Sequence, residues 1–142
     1  MPRRNRLEMN YARLEKLIGQ SLTELHPEDH FRLKSKGFMD LVIEVLPSDD
    51  EESTIISMAH YFVQNGDLCQ DPEMTVRAVH ASPKGFSRGM LEALTFQQAI
   101  PPVYQDVYPT KGFYRPNLRQ HLNSFLWFWL RNLENQGHRL GD

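Results

Sequence analysis

The 142-residue chain predicts an α+β fold: an antiparallel sheet of four to six strands flanked by N- and C-terminal helices. Three observations carry this. Apolar residues recur at helical spacing near both ends. Between them, runs of alternating apolar and polar residues are broken by turn formers. The connections between successive runs are too short for parallel crossovers, so an antiparallel meander with both helices on one face is expected.

The first helix is expected from Arg6 to Ile18, because Leu7, Tyr11, Leu14 and Ile18 share one face. Gly19 supplies a C-cap that tolerates positive φ. Gln20 to His30 is polar, carries Pro27 and reads as a loop, with room for one helical turn after Ser21. Phe31 and Leu33 then alternate with Arg32 and Lys34, and Lys36-Gly37 marks a turn. Met39, Leu41, Ile43 and Val45 continue the alternation in a longer strand that Pro47 ends. Ser48 to Ser53 is an acidic loop (48–53), expected to be mobile because its like charges repel.

Thr54 to Gln64 follows as a strand that is apolar on both faces, which predicts a central position covered on both sides. Asn65 to Pro72 is expected to be a polar connection, longer than the two to five residues a hairpin reversal needs. Glu73 to His80 forms the next strand, and Ser82 to Gly89 a loop. Met90 to Gln97 is another strand. Pro101 and Pro102 exclude a regular central strand, leaving Val103 to Tyr108 as a short edge strand. Leu118, Leu122, Phe125, Leu126, Trp129 and Leu133 form a wide helical stripe, with Pro116 at its start and Gly137 past its end. Phe125 and Trp129 are expected in the core. Trp127, Phe128 and Leu130 lie off the stripe, so this helix is either deeply buried or touches two surfaces.

Composition narrows the class. The length fits one domain, residues 1–142. Hydrophobic content of 40 % and charged content of 24 % are globular values and exclude wholesale disorder. A chain of this size buries roughly two-thirds of its unfolded surface and needs no staple. Cys69 is the single cysteine, so no internal disulfide forms. No apolar run reaches the roughly 20 residues that span a bilayer, and the basic start lacks the apolar stretch of a secretory leader. A cytoplasmic protein is expected. Net charge is −2, which argues against duplex DNA binding through a general field. Arg3, Arg4 and Arg6 form a small basic cluster whose simplest reading is a solvated helix flank.

Asp67, Asp71 and Glu73 fall close together in sequence, with His60 and His80 on the flanking strands. Carboxylates on a loop suit calcium or magnesium, and added imidazole suits zinc, manganese or iron. The spacing does not match a calcium-binding loop. Local chemistry competes: Asn65-Gly66 makes a turn, Asp67 accepts backbone N–H groups, and Asp71-Pro72 starts a strand. Strand histidines more often satisfy packing than bind metal. Cys69 has no nucleophile signature, and no phosphate-binding glycine motif or nucleophile elbow occurs. Tyr104, Tyr108 and Tyr114 sit among prolines and offer rigid amphipathic surface for a partner or ligand.

Several short motifs appear in a familiar order. Met9-Asn10-Tyr11 with Leu14, Asp71-Pro72-Glu73-Met74 with Arg77, Glu92-Ala93-Leu94 with Gln97, Tyr104-Gln105, and finally Asn123, Phe125-Leu126 and Trp129-Leu130 compose it. The pattern resembles the YqiB-like family of uncharacterised bacterial proteins. Gln64 to Leu68 and Asp71 to Met74 also resemble a related uncharacterised family of plasmids and other mobile elements. Its last helix ends in Trp-Leu-Arg-Asn-Leu before Gln-Gly, as Trp129 to Leu133 and Gln136-Gly137 do here. The likeness runs from about Met9 to His138 and departs at the Ser82–Gly89 loop and at Pro101-Pro102. It implies a shared domain and no reaction.

The leading expectation is a cytoplasmic binding or accessory module without a cofactor. Asn65, Asp67, Asp71, Glu73, Tyr104, Tyr108 and Tyr114 would contact a protein partner or a second copy of the chain. The alternative is a metal-dependent enzyme, with hydrolysis as the reaction considered and Asp67, Asp71, Glu73, His60 and His80 as the candidate set. A nucleic-acid-associated regulator using Arg3, Arg4 and Arg6 is the third reading.

Overall fold

The structure, a computed structural model, describes residues 5–85 and 87–141, and for residues 63, 64 and 67–71 the backbone only. Helix α1, Arg6–Ile18, has the expected bounds. Its start is fixed by a capping box: Asn5 Oδ1 accepts from the Glu8 amide at 2.8 Å, and the Asn5 amide donates to Glu8 Oε1 at 2.9 Å. Gly19 closes it at φ 84°, donating to the Glu15 carbonyl. A 3₁₀ turn, Leu22–Glu24, follows with Ser21 as its cap.

Seven strands then form one antiparallel sheet: β1 (His30–Lys34), β2 (Leu41–Leu46), β3 (Ser53–Gln64), β4 (Asp67–Val79), β5 (Met90–Gln98), β6 (Val103–Asp106) and β7 (Arg139–Leu140). The order β6-β5-β4-β3-β2-β1-β7 is a meander for the first six strands. Helix α2, Pro116–Asn135, comes between β6 and β7. The count exceeds the expected four to six because β7 was not foreseen. Two residues cannot display alternation. Gly137 at φ 82° turns the chain out of α2, and β7 pairs with β1 through Leu33↔Leu140 and Lys34↔Arg139.

The second correction concerns Asn65 to Pro72. It is no long connection. Asn65 (φ 53°) and Gly66 (φ 84°) alone reverse the chain, as a two-residue hairpin turn with positive φ at both positions does. Pairing resumes at once with Gln64↔Asp67. Pro72 is tolerated because the register shifts there: His60 alone on β3 stands against Asp71 and Pro72 on β4. A bulge needs no ladder N–H at that point, so a proline fits. β2 pairs with β3 as far as His60, and β5 with β4 as far as Glu73. Beyond them, β3 and β4 continue as a two-stranded ribbon.

Both helices pack on one face of the sheet. Leu14 and Ile18 of α1 join Leu122, Leu126, Leu130 and Leu133 of α2 over Ile43, Ile56, Met58, Met74, Val76 and Leu91. β3 is the middle strand, but among the described residues no helix covers its second face, contrary to the expectation of cover on both sides. Trp129 is buried, as expected. Phe125 is not a core residue: it is 37 % exposed and packs edge-on against Phe96 at the rim. Trp127 answers for the helix's second apolar side. The guanidinium groups of Arg6, Arg13 and Arg131 lie 5.1–5.6 Å from its ring centre.

Candidate functional site

The helix-free face of the sheet carries the residues of interest. Strand register sets them in rows. Tyr104, Gln97, Glu73 and Ala59 occupy one row across β6, β5, β4 and β3. Glu73 and Tyr104 are thus two strand spacings apart, about 10 Å between Cα atoms. Glu73 of the polar segment and Tyr104 of the tyrosine-rich segment share that row. Burial raises the Glu73 pKa above the usual carboxylate range, with Glu44 adding to it and a Gln97 hydrogen bond opposing.

A second cluster lies further along the same strands. Arg77 on β4 pairs in register with Glu92 on β5. The Glu92 carboxylate is nonetheless engaged elsewhere: its Oε2 accepts from the Tyr108 hydroxyl at 2.7 Å and from Arg119 Nε at 2.9 Å. Burial and then Glu92 push the Tyr108 phenol up, against the opposing effect of Arg119. The Tyr108 and Tyr114 rings are tilted against each other, 6.2 Å apart. Arg77 Nε is buried and has no hydrogen-bond partner among the described residues. A cavity of about 440 Å³ opens above it, bounded by Glu92, Tyr108, Lys111, Phe113 and Tyr114.

The other sequence candidates are distributed differently. Asn65 is exposed and serves the hairpin turn. Asp67 and Asp71 lie on β4 by their backbone, and their side chains are outside what the structure describes. Arg3 and Arg4 lie outside the described residues. Arg6 donates to Ser124 Oγ at 2.8 Å and so joins the α1–α2 contact.

His60 is buried with both ring nitrogens engaged. Nδ1 is 2.9 Å from the Asp40 carbonyl, which can only accept, and Nε2 accepts from Trp129 Nε1 at 3.1 Å. His80 sits at the other end of β3, with Nδ1 at 2.8 Å from the Tyr11 hydroxyl and Nε2 at 2.8 Å from Thr54 Oγ1. Thr54 and His60 are six positions apart on β3, roughly 20 Å at about 3.3 Å per residue. The two histidines therefore cannot ligate one ion together. Among the described residues, no three His, Cys, Asp or Glu side chains gather for a metal. His80 instead faces the acidic loop, lining with Asp50, Glu51 and Glu52 a cleft of about 570 Å³.

Burial lowers the His80 pKa, with Glu15 and Asp50 opposing. The folded state holds this imidazole neutral, and the unfolded chain binds the proton more readily. Its contribution to stability is therefore complete above the ordinary value of 6.5 and is lost as the pH falls through the depressed folded value. In His80→Gln the Tm should vary less between pH 7.5 and 5.5 than in the wild type. An equally steep Tm–pH curve in the variant would refute this.

Arg77, Glu92, Lys111 and Arg119 were missed as site residues by reasoning from sequence alone. Arg77 stands at an outward strand position, where a solvated charge is ordinary. The one available signal was its place, with Glu92, among the motifs of the family resemblance.

Among the described residues, no helix is long and apolar enough to cross a membrane. Comparison with curated proteins finds no match, and none is found among solved structures. A family model does match, over residues 10–139: a domain of unknown function, DUF6908. It agrees with the expectation of an uncharacterised family, while the YqiB-like likeness is not confirmed by it. With the match covering nearly all of its length, the chain belongs to the DUF6908 family.

Proposed function

We propose that the protein is a binding module whose contact surface is the tyrosine-rich face between β6 and α2. The observation that supports this reading is the exposure of large aromatic side chains there: Tyr104 is 64 %, Phe113 70 % and Tyr114 57 % exposed. Lone exposed apolar residues are ordinary, but several large exposed aromatics carried on one short segment mark a contact surface. Tyrosine offers large contact area with few rotatable bonds and a hydrogen-bonding tip. The segment is also held in place. The Val107 amide donates to the Leu94 carbonyl at 2.9 Å, and the Arg115 amide to the Val107 carbonyl at 2.9 Å. Glu73 extends the surface along the row of Tyr104. The binder acts in the cytoplasm on a protein partner in this reading.

The test is affinity capture from the host's own lysate, comparing the wild type with Tyr104→Ser/Tyr114→Ser. Tyr108 is left intact because it holds Glu92. A species retained stoichiometrically by the wild type should be lost by the variant, with Tm within about 2 °C. Undiminished capture by the variant would overturn the reading.

A further inference from the structure

We propose that the cavity above Arg77 is a subsite for an anionic group, carboxylate or phosphate, carried on a small ring-bearing molecule. This rests on the binding-module reading and names a ligand class for part of that face.

Arg77 is the starting point. A guanidinium presents five N–H donors in a planar fork and does not lose its charge. Here its Nε is shielded from solvent and meets no hydrogen-bond partner among the described residues, while the side chain as a whole is half-buried. Buried donors left unmade are uncommon and call for a partner. Glu92, opposite in register, would be the obvious one. Its Oε2 is held instead by Tyr108 and Arg119. The local charge is therefore unbalanced. Arg77 and Lys111 line the cavity with Glu92, whose one carboxylate already pairs with Arg119.

Shape and walls narrow the class further. About 440 Å³ lies within the range of small-molecule sites. Tyr108, Phe113 and Tyr114 supply aromatic faces against which a ring can stack. Arg77 and Lys111 would meet an oxyanion, the first as a bidentate fork and the second as a point charge. A cationic ligand would meet the repulsion of both.

Phenyl phosphate and benzoate are the probes, with inorganic phosphate to isolate the charge and benzyl alcohol to isolate the ring. Calorimetric titration of the full chain should show at least one of the two ring-bearing anions binding. Inorganic phosphate should bind more weakly, and benzyl alcohol not at all. Arg77→Gln should bind that anion at least tenfold more weakly, and Phe113→Ala several-fold more weakly. Because Arg77 Nε has no hydrogen-bond partner among the described residues, Arg77→Gln should keep the wild-type Tm or exceed it, so loss of binding cannot be misread as loss of fold.

Equal affinity in Arg77→Gln, or no binding of either ring-bearing anion, overturns the proposal. If neither anion binds but partner capture still depends on Tyr104 and Tyr114, this inference alone falls. If an anion binds through Arg77 while capture ignores the tyrosines, the wider reading falls and the subsite stands.

Discussion

Asn123→Leu is expected to destabilise the protein by about 2–3 kcal/mol and lower Tm by roughly 5–10 °C. Asn123 is buried on α2. Its Oδ1 accepts the Ala93 amide at 2.7 Å, and its Nδ2 donates to the Arg119 carbonyl at 2.8 Å. The Ala93 amide needs this partner because β6 pairs with β5 only from Thr95 to Gln98. Leucine has the same heavy-atom count and branching but leaves that amide unsatisfied in the core, which the added apolar contact does not offset. Asn10→Leu is the comparison. Asn10 is equally buried, but its Nδ2 reaches the Asn123 carbonyl only at 3.5 Å and its Oδ1 has no partner. That substitution should change stability by less than about 1 kcal/mol. Thermal melts followed by circular dichroism decide it, and equal losses in the two variants would sink the argument.

Gly89→Ala should cost about 1–3 kcal/mol through overpacking. A Cβ at position 89 would lie 2.5 Å from Cε1 and Cζ of Tyr11, far inside van der Waals contact. The ring has little freedom to yield. It is buried in the core, and its hydroxyl meets His80 Nδ1 at 2.8 Å. Burial and then Glu15 push this phenol up to about 12, which keeps it neutral across the working range. In a Tyr11→Ala background the clash is gone, so the same glycine substitution should cost nothing. This double-mutant cycle isolates the contact from any effect of alanine on the loop. A cost unchanged by the loss of Tyr11 would place its origin in the loop backbone instead.

Much of the fold was legible because the relevant signals are local. Asn5, Glu8 and Gly19 mark both ends of α1 within a few residues of the helix itself. Pro116 marks the start of α2, and period-two alternation marks β1 to β6. Where reading failed, the deciding partner was distant or the segment too short. β7 has two residues and exists because β1 offers it an edge. The long polar connection was inferred from Asp71-Pro72, yet the turn is made by Asn65-Gly66, and the proline is absorbed by a bulge against His60. Phe125 carried a core spacing but stands where the helix passes the sheet's rim.

The candidate site divides in the same way. Tyr104, Tyr108 and Tyr114 were legible as a surface because tyrosines among prolines are rigid and amphipathic wherever they fall. Arg77 was not, since a strand arginine at an outward position looks solvated until its neighbours are known. By itself, the sequence determined the two helices, the first six strands and the tyrosine-rich segment, because capping, periodicity and turn chemistry act over a few bonds. Only the tertiary structure decided that α2 brings Arg119 to Glu92, that Glu92 is thereby withdrawn from Arg77, and that His80 meets Thr54, six positions along β3 from His60. Charge pairing and burial depend on distances through space, and those exist only once the sheet and helices have packed.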